Sequence, residues 1–165
     1  MGLLDWVNGT RRPAVGPVPR PSTELYAALL AVNRPGAYFA VRDGRSEGVD
    51  LVVDLKFADP DWYGYFARLS PRTAFRIFLR LDESCAEVRG EEQECQVEQL
   101  AGVFYYARAE ALQRGQRFPE QKSWVFGHGR PRREHVLSGR AVCGQLRSVV
   151  AGAGWTWQGV TGDGL

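Results

Sequence analysis

The chain has 165 residues, 44% of them hydrophobic and 24% charged, and a formal net charge of +2. That length and composition predict one globular domain with a core of its own. The weakly basic balance leaves no footprint for a nucleic-acid partner, which needs a concentrated patch, and no apolar run has the length of a membrane-spanning helix.

The start, with Leu3, Leu4, Trp6 and Val7, lacks a basic n-region and a long apolar core, so no secretory signal is expected. Pro13, Gly16, Pro17, Pro19 and Pro21 then read as an extended linker. The chain thus divides into an apolar tip with a Pro-rich linker, residues 1–20, and a single α+β domain, residues 21–165. Ser22 is placed to cap a helix whose Leu25, Leu29 and Val32 share one face, and Asn33, Pro35 and Gly36 stop it. Residues 37–42 read as a strand, with Asp43-Gly44 opening a turn. Val49, Leu51, Val53, Leu55 and Phe57 alternate with polar residues and predict a strand with one buried and one wet face. Asp59-Pro60 begins a second helix, with Trp62, Phe66 and Leu69 on one side and Ser70-Pro71 ending it.

Residues 74–81 read as a strand with Phe75, Ile77, Leu79 and Leu81 facing in. Residues 85–89 read as the next strand; the chain turns around Gly90, and residues 93–100 return. Gly102 precedes a strand over 103–112. Residues 114–131 are rich in Gly and Arg, with one strand at 122–126. Ser138 caps a last helix, with Val142, Leu146, Val149, Val150 and Ala153 at helical spacing and Gly154 past its end. Residues 155–160 read as an aromatic strand. The fold class expected is α+β: an antiparallel sheet of about six to eight strands with three helices packed on its apolar face. Leu51, Val53, Leu55, Phe75, Ile77, Leu79, Val97, Leu146 and Val149 are the expected core.

Read side by side, the outward positions carry Asp50 and Asp54, then Arg76 and Arg80, then Glu87 and Arg89, then Glu94 and Glu98, then Arg108 and Glu110. Opposite signs on neighbouring strands read first as a solvated ladder, each exposed pair contributing about 0.2–1 kcal/mol. A face that grips an anion or a partner needs Arg76 and Arg80 unpaired. The same pattern turns Cys85 outward and Cys95 inward, which argues against a disulfide between them. Cys85, Cys95 and Cys143 show no metal-ligand spacing with His128 and His135. Their odd, scattered placement suggests the reduced thiols of a cytoplasm. Neither a metal nor a cofactor is expected.

Residues 128–135 are the most polar part of the chain. His128, Arg130, Arg132, Arg133, Glu134 and His135 could bind phosphate or run acid–base chemistry, against the plainer reading of an exposed basic loop. Nucleic-acid binding through Arg130, Arg132, Arg133 and Arg140 lacks the aromatic interleaving of a stacking platform and ranks low. Trp62 and Phe66, beside Trp155 and Trp157, are candidates to line an apolar ligand pocket, against ordinary core packing. No arrangement of Ser, His and Asp, or of Cys and His, marks a catalytic centre.

Val-Arg-Asp-Gly (41–44), Glu-Gly-Val-Asp-Leu-Val (47–52), Phe-Arg-Ile-Phe-Leu-Arg-Leu-Asp (75–82), Glu-Val-Arg (87–89) and Gly-Trp-Thr-Trp-Gln-Gly-Val (154–160) resemble a family of small uncharacterised bacterial proteins. The resemblance implies a soluble bacterial domain. It brings no activity, cofactor or catalytic residue, and residues 113–136 depart most from it. The leading expectation is a non-catalytic binding or interaction module of a bacterial cytoplasm, with a protein partner or as a homo-oligomer. The alternative is a small-molecule-binding domain or enzyme, with His128 or His135 beside the aromatic pocket. A filled core with an exposed apolar patch favours the first; a ligand-sized cavity between helix and sheet favours the second.

Overall fold

The computed structural model describes residues 10–13, 18–111, 121–127 and 130–165. Its elements run α1 (Ser22–Leu30), β1 (Phe39–Asp43), β2 (Leu51–Leu55), α2 (Pro60–Leu69), β3 (Thr73–Asp82), β4 (Glu87–Leu100) and β5 (Val103–Ala111). They continue with β6 (Gln121–Gly127), β7 (Arg130–Leu137), α3 (Gly139–Gly152) and β8 (Thr156–Val160). Strands β1 to β5 form an antiparallel path in sequence order, β8 joins the same sheet beside β4, and β6 and β7 make a separate two-stranded ribbon. The α+β class and a mostly antiparallel sheet are as expected. The β4–β8 pair is parallel, from Glu87↔Thr156 to Glu91↔Val160; α3 carries the chain across before β8, the long connection that parallel pairing requires.

Strand β4 is the spine. One edge pairs with β3 from Asp82↔Glu87 to Thr73↔Gln96. The opposite edge is shared, β8 taking Glu87–Glu91 and β5 taking Gln93–Leu100. This corrects the sequence reading, which breaks residues 85–100 into two strands at Gly90. Gly90 lies mid-strand because the Trp157 indole fills the place of its side chain: a Cβ there would sit 2.2 Å from Trp157 Cζ2. Continuity also changes the faces. By strand alternation, Glu92 and Glu94 stand opposite Ile77 and Phe75, on the core side. They are not on the wet face where the ladder placed Glu94. Cys95 stands opposite Ala74 on the charged side and is nevertheless fully buried.

The helices begin as their local chemistry directs, with one exception. Asp59 caps α2 by accepting from the Asp61 N–H, with Pro60 in the first turn. The Ser138 hydroxyl accepts from the Ala141 N–H at the start of α3. At α1 the capping position is Pro21, not Ser22, and no side chain caps it. The fixed φ of proline sets the entry, and the Ser22 N–H is met by Glu83 Oε1 at 3.4 Å.

Leu25 and Leu29 of α1, Trp62, Tyr65 and Phe66 of α2, and Val142, Leu146 and Val150 of α3 share one buried cluster with Leu51, Val53, Phe75, Ile77 and Leu79 of the sheet. The expected core residues lie in that cluster, with Val149 partly buried at its margin. The second face is not simply wet. Val49, Val52 and Phe78 form a small apolar island there, against Leu165. Described residues of the N-terminal stretch are tied to the domain: Arg11 forms a bridge with Trp157, and the Arg20 N–H donates to the Ala153 carbonyl at 3.0 Å. Leu3, Leu4, Trp6 and Val7 lie outside the described residues.

Candidate functional site

The charged face is built around Asp54, whose carboxylate holds two arginines. Arg76 Nε donates to Asp54 Oδ1 and Arg42 Nε donates to Asp54 Oδ2, each at 2.6 Å. Arg42 reaches on to Glu47 Oε1 at 2.6 Å, and Arg76 lies 3.5 Å from the same oxygen. The Arg76 guanidinium also stacks between two rings, 5.1 Å from the Phe78 centroid and 4.7 Å from that of Tyr106. The Tyr106 hydroxyl accepts from the Leu55 N–H at 2.9 Å, close to where the β2–β3 pairing ends. Burial holds the Tyr106 phenol far above its ordinary range. Hydrogen bonds from Arg42 and then Ser46 pull Glu47 down to about 2. Burial pushes the Cys95 thiol up to about 11, which keeps it protonated and unreactive.

An anion grip on this face would need free guanidinium groups. Arg76 is committed to Asp54, and Arg80 donates to the Gly48 carbonyl at 2.5 Å. The arrangement serves to fix β1, β2 and β3 against one another through charge.

The four candidate pocket aromatics fall into two separate places. Trp62 and Phe66 sit in a ring cluster with Tyr65 and Phe57, at centroid distances of 4.8–6.2 Å. Trp157 covers Gly90 under the Arg147 guanidinium, 5.5 Å above its ring. Trp155 Nε1 donates to the Arg20 carbonyl at 2.7 Å. Among the described residues no ring contact joins the two groups, and all four side chains are buried. An open groove of about 350 Å³ runs along α2, between Gly36 and Arg68; of the four, Trp62 alone lines it.

The basic segment is also changed. Residues 130–137 form β7, paired with β6 from Gly127↔Arg130 to Gln121↔Leu137, where the sequence reading has a loop. Basic composition hides a strand whose backbone partners are supplied by β6, and Pro131 is tolerated because a two-stranded ribbon is all edge. Arg130, Arg132, Arg133 and His135 lie on β7, with side chains outside the description; His128 is outside the described residues altogether. Arg140 is exposed in the first turn of α3. Among the described residues, no group of three or more His, Cys, Asp or Glu is placed to hold a metal. No helix there is long and apolar enough to cross a membrane.

The unusual surface lies at the tip of the β4–β5 hairpin. Ladder pairing with β3 ends at Gln96 and the Val97 N–H still donates to the Arg72 carbonyl at 2.9 Å, so residues 98–100 of β4 project with β5 alone. The turn residues Ala101 and Gly102 have φ of 50° and 83°, the pair of left-handed conformations that joins twisted strands in a two-residue hairpin. Tyr63 of α2 braces the turn, its hydroxyl donating to the Gly102 carbonyl at 2.8 Å and its ring 6.2 Å from Phe104. Phe104 and Tyr106 share one side of β5 by alternation, and both pack with the buried cluster. On the other side, Leu100 is 68%, Val103 60% and Tyr105 38% exposed. The Tyr105 hydroxyl donates to Glu98 Oε2 at 2.8 Å. The sequence signal for this patch is the unbroken apolar run Val103-Phe104-Tyr105-Tyr106, which gives both faces of the strand apolar side chains where one would suffice.

No family model, curated protein or solved structure matches the chain.

Proposed function

We propose that the protein is a non-catalytic binding module that takes a protein partner at the β4–β5 tip. The observation that carries this is the exposed row Leu100, Val103 and Tyr105 on a ribbon braced by Tyr63. Large apolar side chains grouped on a rigid projection mark contact surfaces. The buried cluster shared by helices and strands supports reading the helices as a layer on the apolar face. Free Cys85, Cys95 and Cys143 support a reducing cytoplasm, and the family resemblance supports a bacterial one.

The test is a photo-crosslinking residue in place of Tyr105, with a control in place of Ser84 at the exposed β3–β4 turn. Adducts in cells at position 105, absent at position 84 and lost with Leu100→Ser, are expected. Equal labelling at both positions, or none, would sink the reading.

A further inference from the structure

The sheet has three outer edges, and the chain treats them differently. An unpaired strand edge is a template for another strand, so proteins cover or charge their edges. On β1, both outward backbone groups of Val41 are taken by one side chain: its N–H donates to Asn33 Oδ1 at 2.7 Å, and Asn33 Nδ2 donates to its carbonyl at 2.8 Å. On β8, Arg11 and Trp157 exchange two backbone hydrogen bonds of 2.8 Å, with Thr10 Oγ1 donating to Gln158 Oε1 beside them. Strand β5 has β4 on one side, and among the described residues nothing pairs with the other.

We propose that this open edge is completed by a second copy of the chain, β5 against β5 and antiparallel, so that two sheets become one. The inference rests on the reading of the β4–β5 tip as the contact surface and names its partner. Every other residue along the edge points a backbone N–H and C=O outward, and an identical antiparallel strand satisfies both at once. A two-fold axis gives that arrangement, in which each residue meets its counterpart reciprocally.

Charge favours a copy of the chain as the occupant. Val103-Phe104-Tyr105-Tyr106-Ala107 carries no ionised side chain and no proline, the two devices that keep edges apart. The bulge in the β4–β5 pairing falls beyond Tyr106, opposite Gln96/Val97, so residues 103–106 remain regular. The nearest acid on the exposed face, Glu98, is held by the Tyr105 hydroxyl. A net charge of +2 gives two copies little mutual repulsion. In the pair, Val103 and Tyr105 gain cross-strand neighbours of their own kind.

The test is sedimentation velocity of the full chain over a wide range of concentration, with Val103→Lys and Tyr105→Lys as variants. Both positions are exposed, so the thermal midpoint of the dilute monomer should stay put while the dimer dissociation constant rises about tenfold or more. Independently of any variant, amide exchange within residues 103–107 of the unmodified chain should slow as dimer forms. A chain that stays monomeric, or a dimer whose amides there exchange unchanged, overturns the inference. The crosslinking test separates the two failures. A monomer that still labels a different protein from position 105 leaves the binding reading standing, whereas a monomer that labels nothing ends both.

Discussion

Gly90 shows how one missing side chain can set a long element. Strand β4 passes beneath the Trp157 indole at van der Waals distance only because residue 90 carries no Cβ. Gly90→Ala forces either the indole or the strand to move, and both are packed: Trp157 is 1% exposed and β4 pairs on both edges there. Overpacking at such a site should cost about 3 kcal/mol, read as a lower urea midpoint with the slope unchanged; an unaltered midpoint would show that the indole yields freely. Glu47 carries a different consequence. Its carboxyl is held at about 2 in the folded chain, against an ordinary 4.5, by Arg42 and then Ser46. A depressed folded pKa contributes stability that is fully present above 4.5 and is lost as pH falls toward about 2. Denaturation between pH 7 and pH 3 should therefore show Glu47→Gln less stable at neutral pH and less sensitive to acid. Parallel curves for the two proteins would remove Glu47 as a contributor.

At the scale of elements, the edge of β1 depends on one amide. Val41 is 2% exposed, so Asn33→Ala would leave its N–H and C=O without partners where water enters poorly. The expected loss is about 1–3 kcal/mol. Asn33→Asp keeps the acceptor and loses the donor, and its melting temperature should fall between the two; equal losses would mean that the acceptor contributes nothing. Such tertiary roles separate what the sequence makes legible from what it hides. Helices α2 and α3 and strands β2 and β3 follow from apolar spacing and from Asp59 and Ser138, because period and capping are local. The charge alternation likewise places Asp50 and Asp54 beside Arg76 and Arg80 on the next strand, and the structure pairs Asp54 with Arg76 among them. Gly90 reads as a turn because its reason, Trp157, is 67 positions away in the chain. Trp62 and Trp155 carry the same side chain and fall in different parts of the core, which only the topology decides. The hairpin tip is half legible: the run of four apolar residues is visible, and its projection past β3 follows from strand lengths that periodicity does not fix.

For the whole molecule, the number of open edges decides how far association can run. Within the six-stranded sheet β5 is the one open edge among the described residues, and pairing β5 with β5 consumes it after two copies. The cover over β8 is what keeps the count at one. Removing residues 1–12 deletes the paired hydrogen bonds of Arg11 and that of Thr10, and frees the outer backbone groups of β8. Each chain then offers two different open edges, and strand addition no longer closes. The truncated chain should grow past a dimer with concentration, read as rising mass by light scattering, and should melt lower than the full chain. Adding Val103→Lys to the truncated chain blocks one of its two edges and should return the largest species to two copies, now joined through β8. A truncated chain whose mass matches that of the full chain at every concentration would mean that Arg11 and Thr10 anchor the N-terminal stretch without guarding the sheet.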